Sequence, residues 1–237
     1  AAELDNKTAQ LQMGKLYRDG RGVPQDMKRA IGWFRRAAVG GNAIAEYSLG
    51  DMYIEGLGVN RNPAIAVAWY RKAAERGNAT GQHKLGKMYR DGLGVAADNA
   101  VAFEWFRKSA EQGNAWGQYY LAVMYLDGRG VARDYGAART WLDKSIGQGN
   151  DAAQNKLGDI YADGLGAAQD FGAAMAWYRK AAAAGNLTAG YNIGTMLRNG
   201  WGVKKSYTDA LLWYRRGAGK GHAWSMFSIG TMYRLGQ

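Results

Sequence analysis

Residues 43–78 read AIAEYSLGDMYIEGLGVNRNPAIAVAWYRKAAERGN, and segments of the same length and pattern recur along the whole chain. A shift of 36 residues brings six tryptophans into one column: Trp33, Trp69, Trp105, Trp141, Trp177 and Trp213. The same shift aligns the Gly-Asn pairs that end five of the segments. A fixed period between about 20 and 50 residues is typical of a solenoid, because each unit buries its apolar face only against its neighbours.

The repeat predicts an all-α fold for the 237 residues, a right-handed superhelical solenoid of helix-turn-helix repeats in a single domain. Six full repeats are followed by half a repeat, at 7–42, 43–78, 79–114, 115–150, 151–186, 187–222 and 223–237. Residues 1–6 precede the pattern, and we expect a short polar leader there. Positions within the repeat are numbered 1 to 36 below, so that position 1 is the first residue of each segment.

Two helices are predicted in each repeat. In the segment 43–78, Ala45, Leu49, Met52 and Tyr53 share one face of a first helix that ends at Gly56, where glycine supplies positive φ. Position 20 holds good N-cap residues for the second helix: Asp26, Asn62, Asp98, Asp134, Asp170 and Ser206. Position 24 is always alanine, which favours close helix crossing. The tryptophan at position 27 is expected in the core.

The net charge of +11 is concentrated in two columns. Positions 29 and 30 of the six full repeats hold 11 basic residues and one acid. They lie in the last turns of the second helices, where a cation stabilises the helix by roughly 0.3–1 kcal/mol through the helix dipole. A structural role therefore accounts for most of the charge. The alternative, that this basic stripe attracts an anionic partner or surface, stays open.

The sequence offers little for catalysis. It has no cysteine, and its two histidines, His83 and His222, lie more than three repeats apart without ligand-spaced carboxylates. No phosphate-binding or dinucleotide-binding loop occurs. The acids at position 13 lie a whole repeat apart, which favours a structural or solubility role: Asp19, Glu55, Asp91, Asp127 and Asp163. We therefore expect neither an enzyme nor a metal or cofactor site.

A binding surface is predicted on the first helices. Positions 2, 5, 9 and 12 form a stripe opposite the core-facing residues, and first helices usually line the concave side of such solenoids. Residues change from repeat to repeat along this stripe, and exposed Trp, Tyr and Arg are enriched at binding hot spots. The candidate partner-binding residues are Trp116, Tyr119, Tyr47, His83, Tyr191, Trp224, Phe227, Arg18, Arg90 and Arg198. The alternative is that the aromatics pack against neighbouring helices and that the arginines only face solvent.

The repeat columns read Ala-x-x-x-Leu-Gly-x-Met-Tyr-x-x-Gly-x-Gly-Val…Asp…Ala-x-x-Trp-Tyr-x-Lys-Ala-Ala-x-x-Gly-Asn. This pattern resembles the Sel-one-like repeat, a relative of the tetratricopeptide repeat, over essentially the whole chain. Departures are few: Ala122, Leu142, Ala167 and His222. The resemblance implies a non-catalytic adaptor, often bacterial and often periplasmic or host-facing. Some members of the family resemble immunity proteins that neutralise lipase effectors of type VI secretion.

Together, the stripe and the resemblance predict a protein–protein interaction scaffold that binds a protein or peptide in its concave groove. An acidic surface is favoured in the partner, with a toxin or effector as the specific case. One alternative is a binder of an anionic cell-envelope polymer, and another is an enzyme. Nucleic acid is not expected as a partner. The beginning AAELDNKT resembles the end left by signal-peptide cleavage, which predicts a periplasmic protein, with the cytoplasm as alternative. Residues 223–237 are open to three interpretations: a cap, a truncation or a dimer contact.

Overall fold

The computed structural model describes residues 6–237, and these contain thirteen α-helices and no β-strand. The helices confirm the all-α solenoid that the repeat predicts. Their bounds are α1 (Lys7–Asp19), α2 (Met27–Val39), α3 (Ala43–Glu55), α4 (Pro63–Glu75), α5 (Ala79–Asp91), α6 (Asn99–Glu111), α7 (Ala115–Asp127), α8 (Tyr135–Ile146), α9 (Asp151–Asp163), α10 (Phe171–Ala183), α11 (Leu187–Asn199), α12 (Tyr207–Ala218) and α13 (Ala223–Arg234). Within the described range, every helix is too short or too polar to cross a membrane.

Side-chain caps fix the beginning of each helix. Position 20 caps every second helix, as predicted, and the residue before each first helix caps that one. His222 takes the place of the usual asparagine, and its Nδ1 accepts the backbone N–H of Ser225 at 3.3 Å. Asn6 caps α1 through the N–H groups of Thr8 and Ala9, so the helical pattern begins within the predicted leader. The rest of that leader, residues 1–5, lies outside the described residues.

The helices form two compact units, one ending at Arg133 and the other comprising Asp134–Gln237. In the first unit, each second helix packs against the first helix of its own repeat and against the first helix of the next. There, α3 also contacts α5, and α5 contacts α7, so that three first helices lie side by side. In the second unit, α8 to α12 each pack against the helix that follows in sequence. That all repeats form one domain stays a prediction.

The core of each unit depends on two facing columns. The side chain at position 28 is fully or almost fully buried. In five repeats it packs against a glycine at position 8. A Cβ added to Gly86 would lie 2.8 Å from ring carbons of Phe106, and one added to Gly194 would lie 2.7 Å from Tyr214. Such distances are too short for carbon atoms, so only glycine lets the first helix approach this aromatic ring.

The tryptophan column corrects one expectation from the sequence. Position 27 was expected in the core, but all six of its tryptophans are only partly buried, and the deeply buried residue is the next one. The position-30 cation of the same helix lies over each tryptophan ring, with 4.0 to 5.2 Å to the ring centroid. Each such contact stabilises by about 0.5–1 kcal/mol at an exposed site. The basic column therefore has a structural role.

Substitution of Gly194 by alanine tests the facing columns. Gly194→Ala forces a Cβ against the buried ring of Tyr214 and should lower the free energy of unfolding by about 1–3 kcal/mol. Gly230 occupies the same repeat position but has no atom within 4 Å of an added Cβ, so Gly230→Ala serves as the matched control. Alanine there should leave stability unchanged or raise it by up to about 1 kcal/mol. Urea denaturation measures both, and equal destabilisation would contradict the packing.

Candidate functional site

The first unit contains a groove on its first helices, a cavity of about 380 Å³ lined mainly by α3, α5 and α7. We call this cavity the first-unit groove. It is lined by residues of the predicted stripe and by their neighbours, including Asp51, His83, Lys84, Lys87, Trp116 and Tyr120. Its volume lies in the range of small-ligand pockets. Residues of the predicted stripe therefore line a concave surface within this unit.

Tyr120, at one side of the groove, is the centre of a cluster of four aromatic rings that also includes Phe106, Trp116 and Tyr119. The ring of Tyr120 stacks on Phe106 at 5.0 Å and on Trp116 at 6.0 Å between ring centroids. Tyr119 meets Trp116 edge to face at 5.8 Å. Offset and edge-to-face pairs at these distances add about 0.5–1.5 kcal/mol each to the burial of the rings. Because Phe106 is fully buried, the cluster is anchored in the core and holds Trp116 at the surface, where it is 44% exposed.

The local sequence of α7 explains how these rings meet. Trp116, Tyr119 and Tyr120 are spaced i, i+3 and i+4, which places them on one face of the helix. Gly117 lies on the adjacent face, where an added Cβ would clash with the backbone nitrogen of Ala110 at 2.9 Å. Gly117 therefore allows α7 to lie close to α6, and this brings Tyr120 onto Phe106.

The charged residues of the groove are partly paired with each other. Asp51 accepts a hydrogen bond from the hydroxyl of Tyr70 at 2.6 Å and forms an ion pair with Lys84 at 2.8 Å. Burial, and then the neighbouring Asp51, raise the pKa of Tyr70, so that its hydroxyl stays protonated as a donor. Lys87 has no carboxylate partner within residues 6–237, and its ammonium lies 5.7 Å from the ring centroid of Tyr120. Lys87 is therefore the cation that the groove leaves free for a ligand.

His83 lies on the floor of the groove and is only 8% exposed. Its Nδ1 is buried and has no hydrogen-bond partner, and its ring stacks on Tyr120 at 6.4 Å. Burial, followed by the charges of Lys84 and Lys87, lowers the pKa of His83 to about 3. The imidazole is therefore neutral near pH 7 and is a hydrogen-bonding group rather than a cation.

The first unit also contains the remaining candidates from the first three repeats. Arg90 lies over Tyr120, with its guanidinium carbon 4.8 Å from the ring centroid, and its Nε donates to Asp91 at 2.7 Å. Arg18 donates in the same way to Asp19 at 2.7 Å. Tyr47 is half-buried and packs against the core cluster around Leu85. A partner carboxylate at either arginine would thus compete with an aspartate that is already bound.

The second unit holds the other four predicted residues. Trp224 and Phe227 meet edge to face at 6.2 Å on α13 and are 64% and 65% exposed. Tyr191 is half-buried and lies 5.7 Å from Tyr214 and 5.8 Å from His222 between ring centroids. Arg198, also half-buried, lies on the same helix as Tyr191. Trp224 and Phe227 therefore have the exposure of a contact surface, whereas Tyr191 packs against the core.

Two features of the groove and its repeats escaped the sequence analysis. Tyr120, the centre of the aromatic cluster, occupies position 6, which the predicted stripe left out. The signal was present in the column, because the other repeats have polar residues at position 6: Gln12, Ser48, Lys84, Lys156, Asn192 and Ser228. Position 4 was also missed. Its polar side chains are buried at Gln10, Glu46, Gln82 and Gln118.

The described residues, 6–237, contain no group of three or more His, Cys, Asp or Glu side chains arranged to hold a metal ion. The groove thus combines an aromatic wall with a neutral imidazole, one free ammonium group and carboxylates that are partly paired. Such an arrangement is suited to holding an apolar side chain and a polar group beside it.

Comparisons with known proteins agree with the repeat. The sequence matches the family described as Sel1 repeat at residues 7–42, 43–78, 79–114, 117–150, 151–186 and 189–222. The solved structure of a Sel1 repeat protein from Oxalobacter formigenes is 32% identical, with a TM-score of 0.84 over 90% of this chain and 85% of that chain. A comparison with curated proteins gives no match.

Two further solved structures are similar. One is c5321, a protective antigen of uropathogenic Escherichia coli with an SLR fold, which is 39% identical with a TM-score of 0.78 over 99% of this chain. The present chain spans 50% of the length of c5321. The other is the immunity protein Pa5087 of Pseudomonas aeruginosa, 25% identical with a TM-score of 0.58 over 77% of this chain and 67% of that chain.

The pKa of His83 predicts a pH dependence of stability. The unfolded chain binds a proton at the ordinary histidine value near 6.5, whereas the folded chain does so only at about 3. Above pH 6.5, His83 is neutral in both states and does not lower the stability. As the pH falls from 6.5 toward 3, the unfolded chain binds a proton that the folded chain does not bind, so the free energy of unfolding decreases. The free energy of unfolding should decrease by about 2 kcal/mol from pH 7 to pH 5 on account of this group.

Urea denaturation of His83→Phe at both pH values measures this contribution, because phenylalanine keeps the stacking on Tyr120 but binds no proton. Wild-type protein, measured under the same conditions, is the control. An unchanged pH dependence in His83→Phe would show that His83 is not buried in the neutral form.

Proposed function

The chain belongs to the Sel1 repeat family, and we propose that it is a non-enzymatic scaffold that binds a protein or peptide in the first-unit groove. Proteins of this family are generally non-enzymatic scaffolds. The observation that carries the proposal is Trp116, which lines the groove and is 44% exposed. The repeat does not require it, because position 2 holds threonine, isoleucine or alanine in every other full repeat.

The aromatic cluster supports the role of Trp116 as an anchor. Phe106 is fully buried and fixes Tyr120, and Tyr120 in turn orients Trp116. A pre-oriented ring loses little side-chain entropy when a partner binds, so more of the contact energy remains for affinity. Truncation of a hot-spot tryptophan to alanine typically costs about 2 kcal/mol or more of binding free energy.

The charges of the groove favour a partner that carries an acidic side chain. Lys87 has no carboxylate partner, and Lys84 is held by Asp51, so one cation is left for an acidic group of the partner. The partner segment in this proposal carries an apolar or aromatic side chain against Trp116 and an acidic side chain near Lys87. The neutral His83 adds a polar group with an unpaired Nδ1 on the groove floor.

The specific role we propose is that of a bacterial immunity or adaptor protein in the periplasm, with a toxin or effector as the partner. The structural similarity to the immunity protein Pa5087 supports this role, and so does the family resemblance. A lipase effector of type VI secretion is the partner that the resemblance suggests. The alternative of an anionic polymer on the basic columns has less support, because the position-30 cations already lie over tryptophan rings.

Quantitative affinity capture tests the groove as the binding surface. Wild-type protein and Trp116→Ala are each immobilised, and proteins retained from the source bacterium are compared by mass spectrometry with isotope labels. The partner should bind the variant at least about 30-fold more weakly, because an anchoring tryptophan contributes about 2 kcal/mol or more.

Trp201→Ala is the matched control for this experiment. Trp201 is 45% exposed, almost as much as Trp116, but it lies in the second unit and stacks on Phe171. It should retain the partner at the wild-type level. Equal retention by folded Trp116→Ala and wild type would rule out the groove, and a captured partner that is not a toxin or effector would argue against the immunity role alone.

A further inference from the structure

A second cavity, of about 310 Å³, lies in the second unit where α10, α11 and α12 meet. Three cationic side chains line it, those of Arg179, Arg216 and Lys220, and no carboxylate does. Alanines of α10, Leu187 and the ring of Trp213 provide an apolar wall. We call this space the second-unit cavity. It shares no residue with the first-unit groove.

In two other repeats a pair of side chains fills the corresponding place, and that pair is incomplete here. In repeat 43–78, Glu46 at position 4 is buried and accepts from Arg76 at position 34, with 2.9 Å between Nε and Oε1. In repeat 79–114, Gln82 and Gln112 form the same pair at 2.7 Å. Repeat 187–222 has Gly190 at position 4, so Lys220 at position 34 has no position-4 side chain to pair with.

A second departure in the same repeat releases Arg179. Three of the five arginines at position 29 donate to the hydroxyl of the tyrosine that follows 18 residues later, at 2.6 to 2.7 Å: Arg35 to Tyr53, Arg71 to Tyr89, and Arg215 to Tyr233. The residue 18 positions after Arg179 is Leu197, which packs against the core and has no hydroxyl. Arg179 consequently has no hydrogen-bond or ion-pair partner within residues 6–237.

The remaining lining residues add to the positive potential. The guanidinium carbon of Arg216 lies 5.2 Å from the ring centroid of Trp213 and has no carboxylate partner in the described part of the chain. Asn186 and Leu187 bring the beginning of α11, a 13-residue helix, to the cavity. Free N–H groups and the dipole at this end of a helix favour an anion.

From these contacts we infer that the second-unit cavity binds a compact oxyanion, a phosphate or carboxylate group, attached to a small apolar body. Two cations without partners and a third over Trp213 supply the charge-assisted hydrogen bonds that such a group needs. The alanines, Leu187 and Trp213 provide the surface for the apolar part. The volume sets the size, because about 300 Å³ is the lower end of small-molecule sites.

Titration with three probes tests the ligand class. Phenyl phosphate carries both features, inorganic phosphate carries the oxyanion alone, and phenol carries the apolar ring alone. The indole N–H signal of Trp213 in ¹⁵N-tryptophan-labelled protein reports occupancy, Trp213→Phe assigns it, and the other tryptophans are internal controls. Phenyl phosphate should shift this signal saturably and should bind more tightly than either of the other two at constant ionic strength.

Gly190→Glu closes the cavity in the way that repeat 43–78 closes it. A Cβ at Gly190 would lie 3.5 Å from Trp213, an ordinary contact, so the variant should fold. Its carboxylate would pair with Lys220 as Glu46 pairs with Arg76, and the affinity for phenyl phosphate should fall at least about tenfold. Arg179→Gln should weaken binding by about tenfold as well, because it removes one charge-assisted hydrogen bond.

Arg71→Gln is the matched control, because Arg71 occupies the same repeat position as Arg179 but is bound to Tyr89. It should leave the affinity for phenyl phosphate unchanged. An affinity in Gly190→Glu equal to that of wild type, or an equal loss in Arg71→Gln and Arg179→Gln, would overturn the site in favour of diffuse attraction to a basic surface. Equal affinities for phenyl phosphate and inorganic phosphate would overturn the ligand class.

Discussion

The packing of a buried position-28 side chain onto a glycine of the preceding helix is the constraint on which five of the six full repeats depend. The contact leaves no room for a Cβ, and this is evident for Gly86 against Phe106 and for Gly158 against Tyr178. It fixes how closely the two helices of a repeat approach and therefore where their other faces lie. Helix caps then set the length of each helix, so that consecutive repeats keep the same register.

The same constraint separates structural residues from candidate binding residues. The second helices carry tryptophans covered by cations of their own helix, so the basic columns are largely occupied. The first helices of the first unit lie side by side, and their outward residues vary between repeats. Trp116 gains its exposed position in this way, and half-buried Lys87 its position without a carboxylate partner. In the second unit, Gly190 and Leu197 interrupt two repeated contacts, and the cations they release surround a cavity.

Most of the fold could be predicted from the sequence, because repetition averages out local ambiguity. The first helix of repeat 43–78 ends at Gly56, as predicted, because that glycine adopts the left-handed conformation. Periodicity could not decide which of two adjacent large residues faces inward, and Tyr70 rather than Trp69 proved to be buried. Column variation predicted the exposed Trp116, but it missed Tyr120, whose role depends on tertiary contact with Phe106. Buried polar side chains such as Glu46 were missed because their hydrogen-bond partners lie 30 residues away.

A double-mutant cycle at Gly86 and Phe106 measures the central contact directly. Gly86→Ala alone crowds the ring, Phe106→Leu alone leaves space, and the pair should restore part of the fit. The sequence contains such a combination, since the repeat at 115–150 has Ala122 at position 8 and Leu142 at position 28. Urea denaturation should show a favourable coupling of about 1 kcal/mol or more between the two substitutions. Additive losses of stability would contradict the claim that this contact sets the repeat.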